Sequence, residues 1–155
     1  MTIRPFKPQD VSAIKTIINN LHPKWFDEFA LKNIPIDAVL GKTFIAEENS
    51  EIFGFLILSS LEGQVWINWM GVDPSHHGQN IGSQLLLQAE NLLKKLGVKE
   101  LRVDTVVEQE PPDGSYDQTV KFYLKNGFSI LKKHEQQTFE QFVYCRGILN
   151  KDISK

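Results

Sequence analysis

Between two apolar runs, Val65 to Val72 and Leu101 to Val107, the residues Ile81, Leu85, Ala89, Leu92, Leu93 and Leu96 fall along one face of a helix. Gly97 follows, where a glycine closing a helix adopts the left-handed conformation. Strand, helix and strand in this order form a crossover, and such a crossover joins parallel strands. The chain therefore carries a βαβ unit.

The flanking segments read differently. Thr43 to Glu47, the polar turn Glu48 to Glu51, and Ile52 to Ser59 alternate as a hairpin, and Val65 to Val72 follows a turn at Glu62-Gly63. Three strands so close in sequence form an antiparallel meander. Upstream, Val11, Ile14, Ile17, Ile18 and Leu21 have helical spacing behind Pro8 and Asp10, which start a helix by fixed φ and side-chain capping. The next stretch, with two prolines, predicts a short helix from about Lys24 and then a loop. Downstream, a polar loop at Pro111 to Gly114 leads to a helix from about Asp117 to Asn126 that ends at Gly127. Phe128 to Lys133 and Phe139 to Ile148 close the chain as an antiparallel pair. The expected class is α/β of the α+β kind, a mixed and mainly antiparallel sheet flanked by helices.

The length of 155 residues suits a single domain over 1–155. A charged fraction of 23% and a net charge of -2, without a run of Lys or Arg, argue against a nucleic-acid partner. No apolar run approaches the roughly 18 residues of a membrane span. The lone Cys145 excludes an internal disulfide, and Met1 to Pro5 lacks the apolar core of a signal peptide. A cytoplasmic protein without a membrane partner is expected.

Chemistry concentrates in Ser75-His76-His77-Gly78-Gln79-Asn80-Ile81-Gly82-Ser83, between strand and crossover helix. Amides there lack internal partners and the helix dipole is positive, which favours an anion. Gly78 and Gly82 let a phosphate approach the main chain, and Ser83 adds a hydroxyl. The run lacks the ending of a P-loop and the full glycine pattern of a dinucleotide site. Adjacent histidines rarely converge on one ion, and His22 and His134 are distant in sequence, so no metal is expected. His77 is expected near phosphate, and His76 facing solvent.

Val72-Asp73-Pro74 followed by His77-Gly78-Gln79-Asn80-Ile81-Gly82 resembles the signature of the GNAT superfamily of acetyl-coenzyme A dependent N-acetyltransferases. That signature is Arg/Gln-x-x-Gly-x-Gly/Ala; His77 and Asn80 depart from it, and Asn tolerates the left-handed turn best after Gly. Thr119 to Phe128, with Phe122-Tyr123 and Gly127-Phe128, is similar to a second family segment. The resemblance implies a central parallel strand pair that splays. The loop amides from His77 to Ser83 would hold the coenzyme A pyrophosphate, and Met70, Gly71 and Val72 would meet the pantetheine arm. It also implies direct attack of a primary amine on the thioester, with Tyr123 protonating the leaving thiolate and the Met70 amide holding the oxyanion.

The base stays open. Trp66 occupies a strand position where the family often has Glu, so Asn68 ordering a water competes with Glu108 or Glu110 acting directly. Cys145 reads as a small buried hydrophobe. Trp66 and Trp69 belong on opposite faces of a regular strand. The acceptor is a small-molecule amine or a protein or peptide amine, and the exposed edge of the last strand pair could support a homodimer. The alternative is a GNAT-like module that binds coenzyme A without efficient transfer.

Overall fold

The crossover is present, and its two strands lie at the centre of one sheet. The computed structural model describes residues Met1–Lys155. In chain order its elements are β1 (Thr2–Pro5), a 3-10 turn (Pro8–Asp10), α1 (Val11–Leu21), α2 (Glu28–Leu40), β2 (Lys42–Glu48), β3 (Glu51–Leu61) and β4 (Gln64–Val72). After a second 3-10 turn (Pro74–His76) come α3 (Ile81–Lys95), β5 (Glu100–Glu110), α4 (Ser115–Lys125), β6 (Ser129–Phe139) and β7 (Phe142–Asp152). The sheet order is β1-β2-β3-β4-β5-β7-β6. Only β4 and β5 pair in parallel; every other neighbour is antiparallel. No helix is long and apolar enough to cross a membrane.

Two apolar layers sandwich the sheet. On one face, Ile14, Ile17, Ile18 and Leu21 of α1 and Ile34 of α2 pack on Ile45, Phe55 and Ile57. On the other, Leu85, Leu86, Ala89 and Leu93 of α3 and Tyr123 of α4 pack on Leu56, Leu101 and Leu149. Burying each large aliphatic side chain of this kind contributes about 1.5–3 kcal/mol, so both layers stabilise the sheet between them.

Two expectations about these elements are corrected, and one strand is added. The helix expected from about Lys24, followed by a loop, is α2, which starts at Glu28 and runs through Pro35 to Leu40. The Asp27 carboxylate accepts from the Ala30 amide at 2.9 Å and starts it. Ala30, Ile34 and Ala38, four apart and buried, hold it against the sheet despite the donor that Pro35 removes. Asp10 does not cap α1; its carboxylate turns back to Arg4 at 2.8 and 2.9 Å and to the Lys7 amide at 2.7 Å. Finally, Thr2–Pro5 adds an edge strand on β2 that periodicity did not reveal, because four residues are too few to show it.

A bulge in β4 decides what the centre of the sheet can do. Leu58 pairs with Ile67 but Ile57 pairs with Trp69, which leaves Asn68 as an extra residue. A bulge bends its strand and can end a pairing. The parallel ladder with β5 joins Val65, Trp66 and Ile67 to Leu101, Arg102 and Val103, and stops there. Beyond it the two strands splay.

Candidate active site

The splay opens a cleft of about 1100 Å³ that reaches both faces of the sheet. Its walls come from the α1–α2 connection, the bulged end of β4, the turn into α3, the middle of β5 and α4. The Asp73 amide donates to the Phe53 carbonyl at 2.7 Å, toward β3. Strand amides alternate in direction, so those of Met70 and Val72 face the gap toward β5. Gly71, between them, packs its Cα against the Phe55 ring and Leu21, where a Cβ would come within 2.9 Å of the ring.

The turn after β4 is a cradle of amides. Gly78 has φ +80 and Asn80 has φ 65, ψ 17, so both adopt the left-handed conformation, and Asn80 preserves the turn as its chemistry predicts. The first bond of α3 runs from the Gln84 amide to the Asn80 carbonyl at 3.2 Å. None of the amides from Gly78 through Ser83 has a hydrogen-bond partner in the chain, and they gather at the positive end of α3. Of these residues, all but Gln79 line the cleft. Gly82 has a second role: a Cβ there would lie 2.9 Å from the Phe122 ring, so its absence lets α4 close on α3.

The two histidines diverge. His77 lines the cleft, but its Nε2 lies 2.8 Å from the Val72 carbonyl and its ring meets the edge of Trp25, with centroids 5.2 Å apart. His76, expected to face solvent, is half-buried and stacks on Phe53 with centroids 4.0 Å apart. The Asp73 carboxyl braces the turn. Burial opposes its ionisation, but hydrogen bonds from Ser75 and Asn20 outweigh burial and hold it below the usual range.

Tyr123 projects from α4 into the cleft between Phe122 and Phe128, each with ring centroids 5.2 Å away. It is 4% exposed, and burial pushes its phenol up, so it stays a proton donor across the physiological range. Asn68, the bulged residue, is exposed and lines the cleft. Glu108 and Glu110 do not line it, and Glu108 is paired with Lys133 on β6. Cys145 is buried, with Sγ 3.0 Å from the His134 carbonyl.

The bulge also moves a tryptophan. With Asn68 extra, Trp66 and Trp69 share the α1–α2 face instead of opposing each other, and both line the cleft. The Trp69 indole donates to Asp37 of α2 at 2.7 Å and its ring meets Phe26 and Phe29. Residues that the sequence reading passed over complete this side: Asp104, Arg146 and Tyr116. The strict alternation of Leu101 and Val103 with Arg102 and Asp104 was the one available signal for Asp104.

A family model described as an acetyltransferase (GNAT) domain matches residues 40–130. The chain belongs to the GNAT acetyltransferase family. The chain is 30% identical over 82 residues to a spermidine N(1)-acetyltransferase of Thermoplasma acidophilum, a match that covers 53% of this chain and 47% of the relative. The matched part is thus about half the length of that relative. Among solved GNAT structures, the ribosomal-protein-S18-alanine N-acetyltransferase of Escherichia coli superposes with a TM-score of 0.81 at 20% identity, over 99% of this chain and 94% of that one. The PaiA N-acetyltransferase of Thermoplasma acidophilum, solved with coenzyme A, gives 0.72 at 18% identity, over 98% and 99%. At such identities the shared property is the fold.

Proposed function

We propose that the protein moves the acetyl group of acetyl-coenzyme A to a primary amine of a small molecule or a peptide. The observation that carries this reading is the run of unpartnered amides from Gly78 to Ser83 at the head of α3, beside the splayed edge of β4. A pyrophosphate fits such a cradle by charge and by donor number. The free amides of Met70 and Val72 suit an extended arm that adds to the sheet edge as a strand would.

When bound, acetyl-coenzyme A supplies an activated thioester carbonyl. The chain's own groups do the rest. The Met70 amide, facing the gap, stabilises negative charge that develops on the carbonyl oxygen. Tyr123, kept protonated by burial, donates to the departing sulfur. Asn68 holds a water that carries the amine proton away; Glu108, engaged by Lys133, and Glu110 lie outside the cleft.

The test has two arms. Isothermal titration with coenzyme A reads the cradle, and micromolar binding is expected; no binding to folded protein at millimolar ligand defeats the proposal. Release of free thiol from acetyl-coenzyme A across a panel of amines reads the transfer. A homodimer through the open edge of β6 remains part of the proposal, read by light scattering.

A further inference from the structure

On the α1–α2 face of the cleft, Arg146 of β7 and Asp104 of β5 form a fixed unit. Arg146 Nε donates to Asp104 Oδ1 at 3.0 Å, and Nη2 donates to the Asp104 main-chain carbonyl at 3.2 Å. His134 Nε2 lies 3.2 Å from Oδ2, so the tautomer protonated at Nε2 donates to the other oxygen. Oδ1 is thus engaged by Arg146 whichever tautomer His134 takes, and the guanidinium is held at two points while Nη1 has no partner in the chain. Arg146 lines the cleft and its side chain is 44% exposed.

Donor and acceptor counting decides what this unit can recognise. The Asp104 charge is already offset by Arg146, which makes it a poorer seat for a second cation than a free carboxylate. A guanidinium with an unused edge is a good seat for a planar anion, and being pinned it loses little entropy on binding. The other acidic groups near this face are hydrogen-bonded but keep their charge, and Lys125 of α4 also lines the cleft. Asp27 caps α2 through Ala30, Asp113 accepts from the Ser115 amide and hydroxyl, and Arg102 donates to Glu100 at 2.8 Å. Tyr116 sits among these groups: burial raises its pKa, Asp113 and Asp27 raise it further, and Arg146 opposes them. The walls beside the unit are apolar and aromatic, from Trp66, Trp69, Phe26 and Phe29.

We propose that Arg146, positioned by Asp104, is the carboxylate-recognising group of the acceptor site, and that the acceptor is an amino acid with an apolar side chain. The proposal rests on the acetyl-transfer reading for the role of the amine, but carboxylate recognition is measurable by itself. Equilibrium binding is compared for leucine, phenylalanine and tryptophan, each against its decarboxylated amine, and for spermidine, with and without coenzyme A. At least one amino acid is expected to bind about tenfold or more tightly than its matched amine. Arg146→Met abolishes that preference, Arg146→Lys keeps part of it, and Asp104→Asn weakens it while leaving the positive charge in place.

Equal or tighter binding of the amines, preference for spermidine, a preference that survives Arg146→Met, or no binding by any probe overturns the proposal. Failure of coenzyme A to bind, with amino acids still bound through Arg146, would overturn the acetyl-transfer reading alone. Arg146 is a surface residue, so its variants keep the fold; matching urea midpoints check this.

Discussion

Tyr123 and Asn80 show how far one residue's chemistry reaches here. Tyr123 is packed between two rings, and that burial which keeps its proton also fixes where the hydroxyl points. Replacing Tyr123 by Phe should lower turnover about 10²-fold while the coenzyme A dissociation constant, read by titration, stays within threefold. Equal turnover would remove Tyr123 from the chemistry. Asn80 has φ 65, a conformation that costs a β-branched residue about 1–2 kcal/mol or more. Asn80→Val should therefore weaken coenzyme A binding about tenfold, and Asn80→Gly should leave it within threefold. Asn80 could be understood from its own identity. His77 could not, because its partners, Trp25 and the Val72 carbonyl, come from other parts of the fold.

Among the elements, α3 and α2 stand at opposite ends of legibility. The apolar face of α3 and its closing Gly97 are written in order along the chain. In α2 the spacing of Ala30, Ile34 and Ala38 is present, but Pro23 and Pro35 mask it, and only contact with β2 and β3 makes the proline-bearing helix worth forming. Its start depends on one side chain. Asp27→Ala should destabilise the protein by about 1 kcal/mol, read as a lower urea midpoint, because the Ala30 amide loses its acceptor. The β4 bulge at Asn68 is the element-level feature with the largest consequence. It turns Trp66 and Trp69 to one face, and the parallel ladder stops beside it, which frees the Met70 and Val72 amides.

At the scale of the whole molecule, several carboxyls are held below their usual range. Asp10 is lowered by hydrogen bonds from Arg4, Glu100 by a hydrogen bond from Asn150, and Asp73 by Ser75 and Asn20 against the effect of burial. The folded state thus binds fewer protons than the unfolded state in acid. The stability these groups contribute is complete above the unfolded carboxyl range, about pH 4, and is lost as pH falls through the folded values. Urea midpoints should fall below about pH 4; a midpoint that rose on acidification through that range would contradict this. Much of the plan was local enough to read directly. The crossover, the meander, the left-handed turn at Asn80 and the two GNAT-like segments each lie within short stretches, and periodicity, turn chemistry and resemblance all act over such distances. What only the tertiary structure decided was every contact between distant stretches: the β1 edge, the bulge and where the splay begins, the engagement of Glu108 by Lys133, and the Asp104–Arg146 unit across β5 and β7. Those features depend on register between strands far apart in the chain, and a shift of a single residue turns each side chain to the opposite face.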